Sequence, residues 1–357
     1  MAVTLPYTAP SEIDAALRLD FRSDTITQPT PAMRDAMSTA KVGDDVFGED
    51  PSINALEAEA ARIFDKQAGV FVASGTQGNL LALLSLTRPG DELIAEVSSH
   101  IANSEVGGAA RLGGLTLRPV VGRMGKISPE QVISTVRPEN VHYAHTRLLA
   151  IENSHNSAGG TVVTPEEIDA LAQTAHERGL KVHIDGARIF NAAIALGVPP
   201  ARLARNADTL TFCLSKGLSA PVGSVLVGSD EVIGEARRFR KMVGGGMRQA
   251  GVLAAAGLVA LQVGIERLAD DHRRARALAE GLARRPGIQI DLATVQTNIV
   301  RFDVAGLGLT STGFAEALKR HGVSVSGGAG TGVRMVVHRH IDDASIETAL
   351  AAAGDVP

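Results

Sequence analysis

Short apolar runs alternate along this chain with longer segments in which apolar residues recur at helical spacing. The runs have the length and composition of buried strands, and they cover residues 69–73, 92–95, 115–119, 148–152, 181–185, 209–214 and 223–228. Helical spacing is clearest in residues 52–64, 78–85 and 165–178. Strands that alternate with helices predict a mostly parallel sheet covered by helices on both faces.

The end of this alternating region predicts one reversal of direction. Residues 209–214 and 223–228 are separated by a connection too short to hold a helix, so that pair should be antiparallel. The sequence therefore predicts an α/β fold with a mixed, mostly parallel, seven-stranded sheet. The Ala- and Leu-rich residues 249–284 should form two helices that lead away from this sheet.

The pattern changes near both ends of the chain. After about residue 287 it predicts a small α+β domain, with strands at 288–292, 298–304, 323–325 and 333–337 and helices at 312–321 and 343–352. The first part, up to about Phe47, is rich in turn formers and predicts an arm with no packed element. The predicted organisation is an arm and active-site loop (1–50), a large domain (51–270) and a small C-terminal domain (271–357).

Composition excludes several classes of partner. The net charge is −4 and only 3% of the residues are aromatic, so nucleic acid and anionic membrane surfaces are not expected as partners. We see no apolar stretch long enough to span a membrane and no signal-peptide pattern in residues 1–20. The single cysteine, Cys213, fits a reducing compartment, so a cytoplasmic protein is expected.

Two charged residues stand just beyond apolar strands. Asp185 ends one strand, and Lys216 follows the end of the next one, between a serine and a glycine. A lysine can hold pyridoxal 5'-phosphate (PLP) as a Schiff base, and an aspartate can pair with the pyridinium nitrogen. A solvated surface charge is the alternative for a lone lysine, although its small and apolar neighbours make that less natural. This pair makes PLP the candidate cofactor.

Other polar residues follow neighbouring strands and should meet at the same sheet edge. Gly75 and Thr76 lie where a strand turns into a helix, a place that suits a phosphate, although such turns are common. His100 could stack on a pyridine ring or move a proton, and a core or capping histidine is the alternative. The same alternative applies to His142. Asn153 could bind the phenolic oxygen of the cofactor, or could instead satisfy loop carbonyl groups.

Two arginines suggest an acidic substrate group. Arg188 follows Asp185 by three residues and should point into the same cleft. Arg334 lies in an apolar strand, where a charge is costly unless it is paired or faces a cleft. A guanidinium fork matches a carboxylate, so these two side chains could bind the α-carboxylate of an amino acid. An arginine at a surface edge is the alternative for Arg334.

Several longer strings closely resemble the low-specificity L-threonine aldolases. They are residues 19–25 (LDFRSDT), 42–51 (VGDDVFGEDP), 74–77 (SGTQ), 152–156 (ENSHN), 185–190 (DGARIF), 213–217 (CLSKG) and 240–249 (RKMVGGGMRQ). One departure is visible, since Phe47 stands where many members have tyrosine. The resemblance implies PLP fold type I, as in aspartate aminotransferase, and a homotetramer with shared active sites. It implies PLP-dependent cleavage of L-threonine, L-allo-threonine and other β-hydroxy amino acids to glycine and an aldehyde.

The resemblance also assigns roles to individual residues. Lys216, Asp185, His100 and His142 would be catalytic, with His142 near the substrate hydroxyl. The cofactor-binding set would be Gly75, Thr76, His100, Asn153, Asp185, Arg188, Lys216, Lys241 and Arg248, and the last two would lie near a neighbouring subunit's site. Ser23, Arg188 and Arg334 would hold the substrate carboxylate. No metal site is expected from the sequence.

Two alternatives remain open at this level. The first keeps PLP and changes the reaction to that of a phenylserine aldolase, a β-eliminating lyase, a transaminase or a racemase. The second is a non-catalytic or nucleotide-binding α/β protein. The turn at residues 74–79 has neither the G-x-G-x-x-G nor the G-x-x-x-x-G-K-[ST] pattern, which counts against a nucleotide.

Overall fold

A computed structural model describes residues 19–356 of the chain. The strands are β1 (Leu19–Asp20), β2 (Ala68–Val72), β3 (Glu92–Glu96), β4 (Thr116–Val120), β5 (Thr146–Glu152), β6 (Lys181–Asp185), β7 (Thr209–Cys213), β8 (Ser224–Gly228), β9 (Ile299–Asp303), β10 (Val323–Ser324) and β11 (Gly332–Val336). The helices are α1 (Pro31–Ser38), α2 (Pro51–Phe64), α3 (Gly75–Leu86), α4 (His100–Asn103), α5 (Gly108–Arg111), α6 (Pro129–Thr135), α7 (Pro165–His176), α8 (Ile189–Leu196), α9 (Pro200–Ala204), α10 (Asp230–Met242), α11 (Gly251–Val263), α12 (Leu268–Ala283), α13 (Ser311–Lys319) and α14 (Asp343–Asp355).

The predicted seven-stranded mixed sheet is confirmed. Its strand order is β2-β8-β7-β6-β5-β3-β4. Strand β8 runs antiparallel to both of its neighbours, while the pairs from β7 to β4 are parallel. The predicted antiparallel pairing of β7 and β8 is therefore also confirmed. Because the parallel strands share one direction, their carboxyl ends lie along one edge of the sheet.

Helices cover this sheet and form its main hydrophobic core. Phe64, Phe190 and Phe212 come from two helices and a strand, and their ring centroids lie 5.1–5.4 Å apart. Thr164 caps helix α7 in a capping box with Glu167, and Pro165 occupies the first turn of this helix. Within residues 19–356 no single helix has the length and hydropathy to cross a bilayer; α11 and α12 pass that test only as a pair bent by 70°.

A second hydrophobic cluster joins α12, α13 and α14 to the small strands. Strands β9 and β11 pair antiparallel, and β1 pairs parallel with β10. The strand predicted at 288–292 was wrong, because this segment makes only the isolated bridge from Gln289 to Asp303. A 3-10 turn at Leu292–Thr294, capped by Asp291, ends the segment before a ladder can form.

The N-terminal region contains a packed helix, contrary to the expectation of an arm with no packed element. Thr30 caps α1 by accepting a hydrogen bond from the Met33 amide at 3.2 Å, and Pro31 occupies the first turn. Met33 is fully buried, and α1 packs against α11. The Thr-Pro pair was therefore a helix start and not a turn. Residues 1–18 of the predicted arm lie outside the described residues, and the predicted domain boundaries stay predictions.

Candidate active site at the carboxyl edge of the sheet

Several of the residues predicted for the site meet beyond the carboxyl ends of β5, β6 and β7. The strand register pairs Glu152 with Asp185 and Asp185 with Thr211, so these positions stand side by side. Lys216 follows the end of β7 after two residues. Helix α3 begins directly beside this point, because a Cβ atom added to Gly75 would lie only 2.8 Å from the Cys213 Sγ.

Lys216 is half-buried, and two hydrogen bonds to its backbone carbonyl fix its position. Its carbonyl oxygen accepts hydrogen bonds from the Thr27 hydroxyl and the Ser219 amide, both at 2.8 Å. The charge of its side chain contributes to the lowered pKa of Asp24 and acts against the rise in the pKa of His100. Lys216 therefore lies within electrostatic reach of both side chains.

Asp185 and His100 are fixed by hydrogen bonds from different elements. Asp185 is buried, and its carboxylate accepts from the Ala187 amide at 3.1 Å and the Asn79 side chain at 2.9 Å. The His100 Nδ1 pairs with Glu105 Oε1 at 2.8 Å. This hydrogen bond raises the pKa of His100 above its usual value, although burial acts in the opposite direction. The Asp185 charge also favours the protonated imidazole.

Glu152 holds two functional loops in place at the end of β5. One carboxylate oxygen accepts the His100 backbone N–H at 2.7 Å, and the other accepts the Asn156 backbone N–H at 2.8 Å. Burial raises the pKa of this carboxyl. The buried His155 ring contacts two carboxylates, since its Nε2 lies 3.1 Å from Glu96 Oε2 and 3.8 Å from Glu152 Oε2.

The two arginines predicted to bind a substrate carboxylate lie close together, but their guanidinium groups have different partners. Arg188 is buried and makes two hydrogen bonds to Asp24, at 2.8 Å from Nε and 2.6 Å from Nη2. Burial alone would raise the pKa of Asp24, but the Arg188 charge and hydrogen bonds lower it to about 2. Arg334 donates from Nη1 to the Asn156 side chain at 2.7 Å, and Arg188 Nη1 reaches the same oxygen at 3.4 Å. Ser23 directly precedes Asp24 in the sequence. Its half-buried side chain caps a short turn by accepting a hydrogen bond from the Thr25 backbone N–H.

The start of α3 offers free donors to an anion. Ser74 caps the helix through the Gln77 amide, while Gly75 and Thr76 occupy the first turn, where N–H groups have no partner in the helix. The glycine-rich segment that follows α10 packs here, since a Cβ added to Gly245 would lie 2.2 Å from the Gln77 side chain. Its basic neighbours Lys241 and Arg248 are exposed, and Arg248 pairs with Asp44 at 3.0 Å.

Two predicted site residues are placed differently from the expectation. Asn153 is fully buried. Its side-chain NH₂ group donates to the Val163 carbonyl at 2.9 Å, and its side-chain oxygen accepts the Val163 N–H at 3.1 Å. This placement matches the alternative in which Asn153 satisfies backbone groups of a loop. His142 is exposed and precedes the amino end of β5, about 20 Å from the carboxyl edge by the length of that strand. The structure thus does not bring His142 into the site of its own chain.

Sequence reasoning missed the side chains that position the others. They are Asp24, Asn79, Glu105, Asn156 and His183. Asn79 and His183 carried a signal, since each is a polar residue inside an otherwise apolar helix or strand and must find a partner when buried. Glu105 had no such signal, because it lies in the short irregular segment between α4 and α5.

The donor set of this edge fits PLP. It combines a lysine amine, a buried carboxylate for the ring nitrogen, a flat imidazole and a helix start for the phosphate. The side chains of His100, Glu105 and Asp185 also have ligand atoms within 4.8 Å of one another. Their hydrogen bonds with each other and with Asn79 account for this closeness without a cation.

Comparison with known proteins agrees with this geometry. The family described as "Beta-eliminating lyase" matches residues 20–305. The chain is 42% identical over 338 residues to low-specificity L-threonine aldolase 1 of Arabidopsis thaliana, covering 93% of this chain and 94% of the relative. It is 33% identical over 352 residues to an alanine racemase of Cochliobolus carbonum, covering 95% and 87%.

Solved structures show the same architecture. The threonine aldolase of Leishmania major matches with a TM-score of 0.78 at 22% identity, covering 95% of this chain and all (100%) of that one. An aspartate aminotransferase of Rhizobium meliloti matches with a TM-score of 0.69 at 15% identity, covering 95% and 90%. These matches confirm the predicted aminotransferase-like fold type I. The family match over residues 20–305 and the sequence relatives show that the chain belongs to the β-eliminating lyase family.

Proposed function

We propose that this chain is a PLP-dependent aldolase that reversibly cleaves L-threonine, L-allo-threonine and other β-hydroxy-α-amino acids to glycine and an aldehyde. PLP is the cofactor of its family, and when bound it supplies an electron sink for the bond broken at the substrate Cα. The proposal is supported by the placement of Asp185 and Lys216 within electrostatic reach of His100 at one edge of the sheet, in a chain that is 42% identical to a threonine aldolase.

The cofactor would be held by four groups from different elements. The Lys216 amine would bind its aldehyde, and Asp185 would pair with the ring nitrogen and favour its protonated form. The free N–H groups of Gly75 and Thr76 would bind the phosphate. His100 would lie against the ring, where Glu105 and Glu152 fix its side chain and backbone.

The substrate carboxylate would bind at Arg334. Its guanidinium faces the side chain of Asn156 and is not paired with a carboxylate in the described residues, whereas Arg188 is already committed to Asp24. Arg188 would therefore contribute only its Nη1 edge, and the Ser23 hydroxyl would add a donor. A carboxylate fixed at this point sets the orientation of the Cα–Cβ bond relative to the bound cofactor, which decides which bond breaks.

Cleavage also requires that the β-hydroxyl proton be removed. His100 is the titratable group best supported for this role, because Glu105 holds its Nδ1 and leaves Nε2 as the ring nitrogen available for proton transfer. His142 from a neighbouring copy is the other candidate. Substitution of each histidine separately, with pH profiles of kcat and kcat/KM, would distinguish the two.

We also propose that the chain assembles into a homotetramer with shared sites. Support comes from His142, which is exposed far from its own cleft beside Val141, a residue 94% exposed. Lys241 and Arg248 are exposed at the edge of the site. Light scattering would give the mass of the assembly. Mixing inactive Lys216→Ala and His142→Ala chains should restore about a quarter of the activity if each site takes residues from two chains.

A cytoplasmic location is part of the proposal. The lone cysteine, Cys213, is buried, so the described fold does not depend on disulfides. Cell fractionation with an antibody to the protein would test the location.

The aldol reaction is tested with purified protein, PLP and each threonine diastereomer. We expect equimolar glycine and acetaldehyde, loss of both products in Lys216→Ala, and no change in Lys319→Ala, which alters an exposed lysine of α13. The similarity to an alanine racemase defines the competing outcome of this assay. A racemase would form a D-amino acid from an L-amino acid and would release no glycine. Such a result with the cofactor bound would keep the site and overturn the aldolase assignment.

A further inference from the structure

A buried chain of hydrogen bonds runs behind the candidate cofactor site, and Asn79 stands at its centre. Asn79 comes from α3 and is 1% exposed. Its side-chain nitrogen donates to Asp185 Oδ2 at 2.9 Å and to Glu105 Oε1 at 2.7 Å. Its side-chain oxygen lies 3.1 Å from His183 Nε2. One amide thus connects three elements that are distant in sequence.

The orientation of this amide follows from the groups around it. Two carboxylates can only accept, so the NH₂ group must face Asp185 and Glu105 and the carbonyl must face His183. His183 must therefore carry its proton on Nε2, and its Nδ1 accepts the Thr209 hydroxyl at 2.9 Å. Burial lowers the pKa of His183 to about 4, so the ring is neutral at pH 7 and keeps this tautomer.

The two carboxylates need this donor because they are close together and buried. Asp185 and Glu105 offer ligand atoms within 4.8 Å of each other, and both side chains are less than a tenth exposed. Burial and the Asp185 charge raise the pKa of Glu105, while His100 and Asn79 act in the opposite direction. Two buried carboxylates this close disfavour each other's charged form, so one of them tends to take up a proton unless donors or cations stabilise both charges. The other titratable groups around them are His100, Glu152 and Lys216.

We propose that Asn79 is a positioning residue that keeps Asp185 and Glu105 as two separate carboxylates, and through them orients Asp185 toward the cofactor ring nitrogen and His100 against the ring. His183 and Thr209 hold Asn79 in the required orientation. If Asn79 were absent, a proton taken up by this pair of carboxylates would weaken the hold of Asp185 on the pyridinium. This inference rests on the proposed PLP function and adds a residue that the reaction needs but that touches neither cofactor nor substrate.

The test measures the cofactor and not only turnover. Apo-protein is titrated with PLP, and the absorbance of the bound cofactor is followed against pH. Asn79→Ala should weaken PLP binding by about 10- to 100-fold, the effect of losing a hydrogen bond to a charged group. It should also move the pH midpoint of the cofactor absorbance, which a purely space-filling role would leave unchanged. Ser85→Ala, on the same helix but outside this chain of hydrogen bonds, should change neither.

A rescue variant isolates the repulsion between the carboxylates. In the Asn79→Ala background, Glu105→Gln removes one of the two charges, so PLP affinity should recover by several-fold. Should Asn79→Ala fail to fold, Thr209→Val is the second variant. Valine keeps the shape of the threonine side chain but removes the hydroxyl that bonds to His183 Nδ1, so the His183 proton is no longer fixed on Nε2. That variant should weaken PLP binding by about 3- to 10-fold.

The outcomes separate this inference from the proposed function. A wild-type protein that shows no cofactor absorbance would overturn the proposed function together with this inference. Normal wild-type binding, with unchanged affinity and pH midpoint in folded Asn79→Ala or in Thr209→Val, would overturn the inference alone. An Asn79→Ala defect that Glu105→Gln does not relieve would show that Asn79 acts by filling space, and would also overturn it.

Discussion

The ion pair between Asp24 and Arg188 should contribute measurably to folding, and Asp24→Asn removes it with almost no change in shape. Both side chains are at least nine-tenths buried, and two hydrogen bonds join them. The substitution leaves Arg188 charged and buried without its carboxylate. Removal of one partner from a buried pair costs about 3–5 kcal/mol, because the remaining charge has neither solvent nor a counter-charge.

The pKa of Asp24 gives an independent magnitude. The difference between 3.8, the ordinary value, and about 2 in the folded chain corresponds to about 2 kcal/mol at neutral pH. Since the pKa is lower in the folded than in the unfolded chain, the ionised carboxylate stabilises the fold above about pH 4. This contribution falls to about 1 kcal/mol at pH 3 and is lost as the pH passes below about 2.

Denaturant unfolding of wild type and Asp24→Asn at pH 7, 5 and 3 measures this difference. We expect Asp24→Asn to be less stable by about 2–5 kcal/mol at pH 7, and the gap between the two proteins to narrow toward pH 3. Glu59→Gln is the control, because Glu59 pairs with Arg62 at the surface and such pairs contribute about 1 kcal/mol or less. A stability loss at pH 7 no larger than that of the control, or a gap that does not narrow at low pH, would refute the reasoning.

Three further results are expected. Arg334→Leu should raise the KM for L-threonine by about tenfold or more with a smaller fall in kcat, because it removes a charged donor for the substrate carboxylate; steady-state kinetics with an unchanged KM would contradict this. Gly78→Ala should cost about 1–3 kcal/mol in thermal unfolding, because a Cβ there would lie 2.5 Å from the Thr211 Cγ2. Gly234→Ala, which meets no atom within 4 Å on α10, is its control and should not destabilise. Phe212→Ala should cost about 3–5 kcal/mol in denaturant unfolding, since its ring packs on two others in the core; a loss below about 1 kcal/mol would contradict that assignment.

The sheet was predictable because burial on both faces requires continuous apolar runs. A strand such as β7 is buried along its whole length and contains only apolar residues and threonines, so it reads as one continuous strand-forming run. Lys216 and Asp185 were found by the same logic, since a charge directly beyond such a run lies at the carboxyl edge, where ligands bind. The prediction failed for α1, whose eight residues follow turn formers that also serve as helix starts.

The roles of the arginines and of Asn153 could not be separated from sequence. Arg188 and Arg334 carry the same group, yet only the fold places Asp24, 164 residues away in sequence, against the first of them. Asn153 has the position of a cofactor ligand, but the backbone of Val163 takes both ends of its amide. The deciding partner lies outside the local pattern in both cases, 164 residues away for Arg188 and 10 residues away for Asn153.

The sequence by itself determined the seven strands of the main sheet, the edge at which they end, and the position of Asp185 and Lys216 at that edge. These features follow from local periodicity and from the residue next to a strand end, so a short window of sequence contains them. Only the tertiary structure decided which side chains hold those groups in place: Asn79 between Asp185 and Glu105, Glu152 beneath His100, and Asp24 against Arg188. Hydrogen bonds between buried groups depend on distances of a few tenths of an ångström across elements far apart in the chain, and no local pattern records them.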